Sequence, residues 1–387
     1  MRSSSNVNRQ LLHCCCKRLY SSSTSKSPPE SDALYRDLQE KGNASIDDDW
    51  PPKKKKEGKD EKRQRPRIDP ASTSVFLFPG QGAQFVGMGR QLDQYPNVRD
   101  MYESASEICG LDLWRLCTEG PAEQLKRTDL CQPAILVTSL AAVEKLKCEQ
   151  PENCVATAGF SLGEFTALTF AGALSFEAAV RLVKARGEAM LKACEQEASG
   201  LLTVALRAAS KLGLALETSR KYMERLGHSS PICQIASHLF VQCKVIGGQE
   251  EALAFLSRNA AEFQLAGTKR QPVSGAFHTP LMRPAEARLS DALGAVRFQP
   301  PLIPVYSNYT GKPHGGRDAT GVQIRKQLLK QLYKPVLWEQ CMHDIFDRRV
   351  YETAFPACYE LGPGHQLTTI LRKINGKAAA TANAIQV

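Results

Sequence analysis

The chain has 387 residues, 42% of them hydrophobic and 23% charged, which is enough for a substantial core and about two domains with tails. Lys, Arg, Glu or Pro interrupts every apolar stretch before the roughly 20 residues needed to cross a bilayer, so membrane insertion is not expected. The formal charge of +10 favours acidic partners, and the thirteen cysteines favour reduced thiols without metal: Cys14, Cys15 and Cys16 are adjacent, the rest are scattered, and no C-x-x-C or paired Cys/His spacing occurs.

The first twenty-nine residues carry Arg2, Arg9, Lys17, Arg18 and Lys26 among many serines, with no acid before Glu30, which is the composition of a mitochondrial transit peptide. Arg18-Leu19-Tyr20-Ser21 resembles a matrix-protease site, with cleavage expected after Tyr20; the alternative is a disordered basic tail. Residues 21–73 stay polar and without periodicity, and read as a linker. Its Lys53–Lys56 run lies between Asp47–Asp49 and Glu57, Asp60 and Glu61, with no interleaved aromatics, so it reads as a solvated tether rather than a nucleic-acid patch.

Val75–Phe78 is a short apolar strand running into Pro79-Gly80-Gln81-Gly82-Ala83-Gln84, which must be a loop. A dinucleotide fingerprint fails there, because its third glycine would fall at Phe85, and no cofactor is expected. Helical patterns follow near 97–108 and 133–147. A second apolar run, Cys154–Ala158, then meets Gly159-Phe160-Ser161-Leu162-Gly163-Glu164. A serine flanked by glycines between a strand and a helix reads as a nucleophile elbow, with helix N-terminal amides beside it to stabilise an oxyanion. In the next helix, about Phe176–Glu197, the residues Phe176, Ala179, Val183, Met190 and Cys194 form one apolar stripe, and Arg186 occupies the missing inward position. An inward guanidinium needs an anion, either a structural carboxylate or a ligand.

From 200 to 273 the order changes to strand (Leu201–Leu206), helix (Ala208–Leu226), two strands (Ile232–Ala236, Val241–Ile246), helix (Glu250–Asn259) and strand, the split pattern of ferredoxin-like domains. Alternating elements then return: a strand at Pro304–Ser307, helix over 320–346, and a strand ending at Leu361 before Gly362-Pro363-Gly364. The expected architecture is α/β, with a mostly parallel sheet in 74–199 and 274–376, an inserted small domain in 200–273, and a flexible tail in 377–387. For a base to partner Ser161, His278 is favoured because it lies where the chain re-enters the main domain; His365, after Gly362-Pro363-Gly364, is the rival.

Taken together, Pro79-Gly80-Gln81-Gly82, Gly159–Glu164, Arg186, Ala276-Phe277-His278 and Leu361–Gly364 resemble the malonyl-CoA:acyl-carrier-protein transacylases over roughly residues 74–376, and with the presequence the mitochondrial form. The resemblance implies an α/β-hydrolase-like core with a ferredoxin-like insert. It also implies an [acyl-carrier-protein] S-malonyltransferase of the mitochondrial matrix that loads an acidic, phosphopantetheine-bearing carrier from malonyl-CoA for fatty acid synthesis. By it, Ser161 is the nucleophile, His278 the base, the amides of Gln81 and Leu162 the oxyanion hole, Arg186 the carboxylate clamp and Phe277 a selector of malonyl, while a carbonyl of Gln331-Leu332-Tyr333 orients the histidine. Two positions depart from the family's pattern: Phe160 where many members have His, and Ser237-His238-Leu239-Phe240 where an Asn- and Gly-rich stretch is common. Two other readings stay open: a serine hydrolase or thioesterase of related fold, and a binding protein acting through residues 53–67.

Overall fold

The computed structural model describes residues 69–150, 152–273, 275–315, 320–347 and 354–387. The expected transit peptide and the linker up to residue 68 lie outside the described residues.

Strand β1 (Ser74–Phe78) is buried at all five positions, as a central strand covered on both faces must be. It pairs in parallel with β2 (Cys154–Gly159) on one side and β8 (Ala357–Leu361) on the other, and the sheet runs β7-β2-β1-β8-β9, with β7 at Val305–Tyr306 and β9 at Ala382–Ile385. Every ladder in it is parallel. Helices α1 (Val98–Cys109), α2 (Leu113–Thr118), α3 (Ala122–Leu125), α4 (Thr128–Glu149), α5 (Leu162–Phe170) and α6 (Phe176–Cys194) follow in sequence. Helix α4 buries an unbroken run from Cys131 to Val143, so it has no polar face and passes through the core, packed on α6. It starts five residues before the expected 133, so Pro133 lies in its second turn, where it costs the helix one donor.

The insert contributes β3 (Ser199–Ala205), α7 (Leu212–Arg225), β4 (Cys233–Phe240), β5 (Cys243–Gln249), α8 (Glu250–Arg258) and β6 (Gly267–Arg270). Its sheet is wholly antiparallel in the order β4-β5-β3-β6, and α7 and α8 cover a separate core that includes Leu202, Val204, Ile246, Leu253 and Phe263. The chain then forms α9 (Glu286–Gly294), α10 (Gly321–Gln331), α11 (Trp338–Ile345) and α12 (Gln366–Ile374).

Two expectations are corrected. Residues 320–346 are two helices, not one: Pro335 can neither donate to a carbonyl four residues back nor fit beside it, and the chain breaks between α10 and α11. The break is used. Val336 donates to the Ala236 carbonyl and accepts from His238 N, which stitches the main domain to the edge of β4; the half-buried Lys244–Glu339 pair at 2.9 Å adds to the seam. The C-terminal residues are not a flexible tail. After a short 3-10 turn at Ala378–Thr381, β9 adds a fifth parallel strand to β8, and Val387 packs into the core. The alanine-rich run carries little strand signal of its own, and the open edge of β8 determines its conformation.

Among the described residues no helix is long and apolar enough to cross a membrane, and all ten described cysteines are free thiols.

Candidate active site

Strand β2 ends at Gly159, and helix α5 starts at Leu162. The turn between them brings backbone against backbone: a Cβ on Gly159 would lie 1.8 Å from the Gly163 carbonyl, and one on Gly163 would lie 2.1 Å from the Phe78 carbonyl oxygen. Glycine is therefore required at both positions. Between them Ser161 adopts φ 53° and ψ −103°, a costly conformation that lifts the hydroxyl away from the turn. Asn308 holds it there. Its Oδ1 accepts from Ser161 N at 2.6 Å, and its Nδ2 donates to the Gly159 carbonyl at 2.7 Å.

His278 Nε2 lies 2.9 Å from Ser161 Oγ, and its Nδ1 lies 2.7 Å from the Gln331 carbonyl oxygen. A carbonyl only accepts, so Nδ1 carries the proton and Nε2 is free to take one from the serine. The carbonyl is available because its helical partner would be the amide of residue 335, and Pro335 has none. The helix break thus exposes the group that orients the histidine. Replacing Pro335 with Ala restores a competing donor, and should lower kcat about 5- to 10-fold, the worth of roughly one hydrogen bond, while the melting temperature stays within a few degrees of the parent's. Steady-state kinetics beside thermal unfolding checks this.

Arg186 extends from α6 to the same point. It is buried, with Nη1 2.7 Å from Gln132 Oε1 and Nη2 3.0 Å from Ser161 Oγ and 3.1 Å from Gln331 Oε1. Ser161 Oγ accordingly accepts from Arg186 and donates to His278. Among the described residues no carboxylate is hydrogen-bonded to the guanidinium, and its Nε has no partner. Burial pulls its pKa down to about 10, with Glu164 opposing, so it stays cationic at neutral pH. It retains charge for an incoming anion.

These groups face a cleft of about 420 Å³ at the carboxyl ends of β1, β2 and β8, beneath the insert. Gln81, Phe277 and Met190 line it near the serine, with Lys269 and Arg270 from β6 on the insert's side. Leu162 is the first residue of α5, where an amide has no carbonyl one turn back to bond. Phe277 is buried, as is His278, which sits at φ 63°. His365, the rival base, lies at the N-terminus of α12 and does not line the cleft. Phe160 turns its ring edge-on to Trp338 at 5.5 Å between centroids.

Burial, then the Arg186 charge, pushes His278 down to about 3, with the Gln331 carbonyl opposing. It therefore stays a neutral base through the mildly acidic range. Phosphonylation of Ser161 by a fluorophosphonate, with fluoride leaving, should hold its rate from neutral pH to about pH 4 and fall near 3, whereas an ordinary histidine would lose it below about 6.5. The stability consequence has one sign. Below the unfolded pKa the unfolded chain binds a proton that the folded chain refuses, so stability is full above about pH 6.5 and declines toward pH 3 by up to about 1.4 kcal/mol per unit. His238, lowered to about 4 by burial and Lys244, acts in the same direction. Urea unfolding at several pH values measures the slope.

Sequence reasoning did not anticipate Gln132, Asn308 and His314, nor a site role for Glu164. Glu164 is buried one turn into α5; its Oε1 lies 2.7 Å from His314 Nε2, and its Oε2 accepts from Asn308 N and Gln331 Nε2 at 2.9 Å each. Glu164 sat in the quoted elbow motif, but nothing local distinguishes a buried carboxylate from a first-turn surface one.

The family described as acyl transferase domain matches residues 75–354. The human mitochondrial malonyl-CoA-acyl carrier protein transacylase is 48% identical over 82% of this chain and 81% of its own. Among solved structures, the malonyl CoA-acyl carrier protein transacylase of Coxiella burnetii superposes with a TM-score of 0.73 at 29% identity, covering 82% of this chain and 95% of that one. A malonyl-transacylase solved in complex with its type II PKS acyl-carrier protein gives a TM-score of 0.70 at 29% identity, over 82% and 96%.

Proposed function

The chain belongs to the acyl transferase family and, within it, to the malonyl-CoA–acyl carrier protein transacylases, and from that premise we propose how its residues transfer a malonyl group. The observation that carries the reading is a buried guanidinium, with no hydrogen-bonded carboxylate among the described residues, 3.0 Å from a serine that also bonds a histidine base. In malonyl-CoA the free carboxylate is two bonds from the thioester carbonyl. A clamp beside the nucleophile therefore suits a short acyl group with a terminal carboxylate, held bidentately.

Ser161 Oγ attacks the thioester carbonyl and His278 Nε2 takes its proton. The amides of Gln81 and Leu162 bind the oxyanion, and collapse breaks the C–S bond as His278 returns the proton to the coenzyme A sulfur. The malonyl-serine ester then meets the phosphopantetheine thiol of acyl carrier protein, which gives its proton to His278 and attacks; Ser161 recovers the proton as its ester breaks. Gln331 orients the base through its carbonyl, in the place a triad carboxylate would take. Malonate on Arg186 would also offset the charge that depresses His278, so the base strengthens when the right substrate is bound. The ring of Phe277 fills space that a branched acyl methyl would need, worth about 1–3 kcal/mol against methylmalonyl.

The main domain reads as an α/β-hydrolase-like core in 74–199 and 274–376, and the insert, 200–273, as ferredoxin-like; the β-α-β-β-α-β order and the sheet order β4-β5-β3-β6 support the second reading. The mitochondrial relative and the basic, serine-rich first residues support a mitochondrial protein, and we assign it to the matrix, supplying fatty acid synthesis there. The solved complex of a family member with its carrier supports acyl carrier protein as acceptor, and the +10 charge suits an acidic one.

The test is transfer of label. With radiolabelled malonyl-CoA the protein should take up label and pass it to added acyl carrier protein, and with acetyl-CoA it should do so far less. Release of free malonate without carrier loading would make the protein a hydrolase instead.

A further inference from the structure

We propose that Glu164 is a positioning residue for the Ser161–His278 pair, setting the elbow through Asn308 and the base and clamp through Gln331. The inference rests on the proposed nucleophile and base, but not on the identity of the acyl group.

Glu164 Oε2 faces two N–H donors, Asn308 N and Gln331 Nε2, so that oxygen can only accept. Both lead to the reacting atoms. The backbone of Asn308 is held by the carboxylate, and its side chain spans Ser161 N and the Gly159 carbonyl, which fixes the strained turn. Gln331 Nε2 also donates to the Ser161 carbonyl at 2.8 Å, while its Oε1 accepts from Arg186 and its main-chain carbonyl accepts from His278. The amide cannot flip: reversal would set its oxygen against a carboxylate and a carbonyl, and its NH2 against a guanidinium. Gln331 is therefore a dipole locked between Glu164 and Arg186, and its locked position determines where His278 points. On the far side His314 bonds Oε1 and is itself buried, so the carboxylate has no freedom to leave the network. A carboxylate with this many enforced donors, none of them substrate, acts on the reaction by geometry.

Glu164→Gln keeps the shape and removes the charge and one acceptor; Asn308→Ala keeps the carboxylate and deletes only the two bonds to the elbow. Each protein is assayed for its rate of reaction with a fluorophosphonate, which reports Ser161 without any malonyl recognition, and for malonyl-CoA labelling, with melting temperature as the measure of fold. We expect a fluorophosphonate rate about 10- to 100-fold lower in each variant, a double variant slowed by less than the product of the two, and malonyl-CoA kcat lowered with KM within a few-fold. A Glu164→Gln rate within twofold of the parent's would overturn the proposal, as would Asn308→Ala at the parent rate should Glu164→Gln not fold. The two readings separate cleanly. If the parent takes no malonyl yet the variants slow the fluorophosphonate, the positioning role stands and the substrate assignment fails; if the parent takes malonyl and the variants react at the parent rate, the reverse holds.

Discussion

Ser161→Ala should lower malonyl transfer to acyl carrier protein by about 10⁴- to 10⁶-fold, the range seen when the nucleophile of a serine machine is removed. The loss is this large because the proposed reaction runs through the serine ester: without Oγ no ester forms, and the amides proposed as the oxyanion hole, those of Gln81 and Leu162, have no oxyanion to stabilise. Little else changes. Arg186 keeps its bonds to Gln132 and Gln331, His278 keeps the Gln331 carbonyl, and Asn308 holds the residue-161 amide whatever the side chain. The variant should therefore unfold within a few degrees of the parent, and no label from malonyl-CoA should remain on the protein after denaturation. Label persisting at a tenth of the parent level would move the nucleophile to another residue.

The parts of this site that could be read in the sequence are those whose cause is local. The elbow shows as glycines pinched between a strand and a helix, and Arg186 shows as a gap in an apolar stripe, because both depend on neighbours within a turn or two. The chain-order pattern likewise gave the α/β layering and the inserted β-α-β-β-α-β unit. Glu164 and Asn308 meet across 144 positions and Glu164 and His314 across 150, and no spacing rule links them. Gln331 lies between these cases: the family resemblance indicated a carbonyl there, and the physical reason, a proline four residues on, was in the sequence but passed over when 320–346 was read as helical throughout. Strand β9 was missed for the opposite reason. Its alanines have no preference of their own, and the edge they fill belongs to a strand more than twenty residues earlier.

Arg186→Ala should cut kcat/KM for malonyl-CoA by about 30- to 5,000-fold, the 2–5 kcal/mol typical of truncating one partner of a buried charge pair. For acetyl-CoA the change should be small or favourable. An acetyl group entering the parent site removes water from the cleft and leaves a buried cation without its anion, a cost that disappears with the guanidinium. The substitution has structural costs too: Gln132 Oε1 and Gln331 Oε1 lose a donor, and Phe165 loses the guanidinium centred 5.5 Å from its ring. These costs fall equally on both substrates, so the malonyl-to-acetyl ratio of kcat/KM isolates recognition from stability. That ratio should fall by at least about thirtyfold. Arg186→Lys should recover only part of it, because an ammonium presents a point charge where the carboxylate meets a planar fork. A ratio unchanged in Arg186→Ala would locate carboxylate recognition elsewhere in the cleft, where Lys269 and Arg270 are the remaining cations among its lining residues, and would leave Arg186 as a structural partner of Gln132 and Gln331.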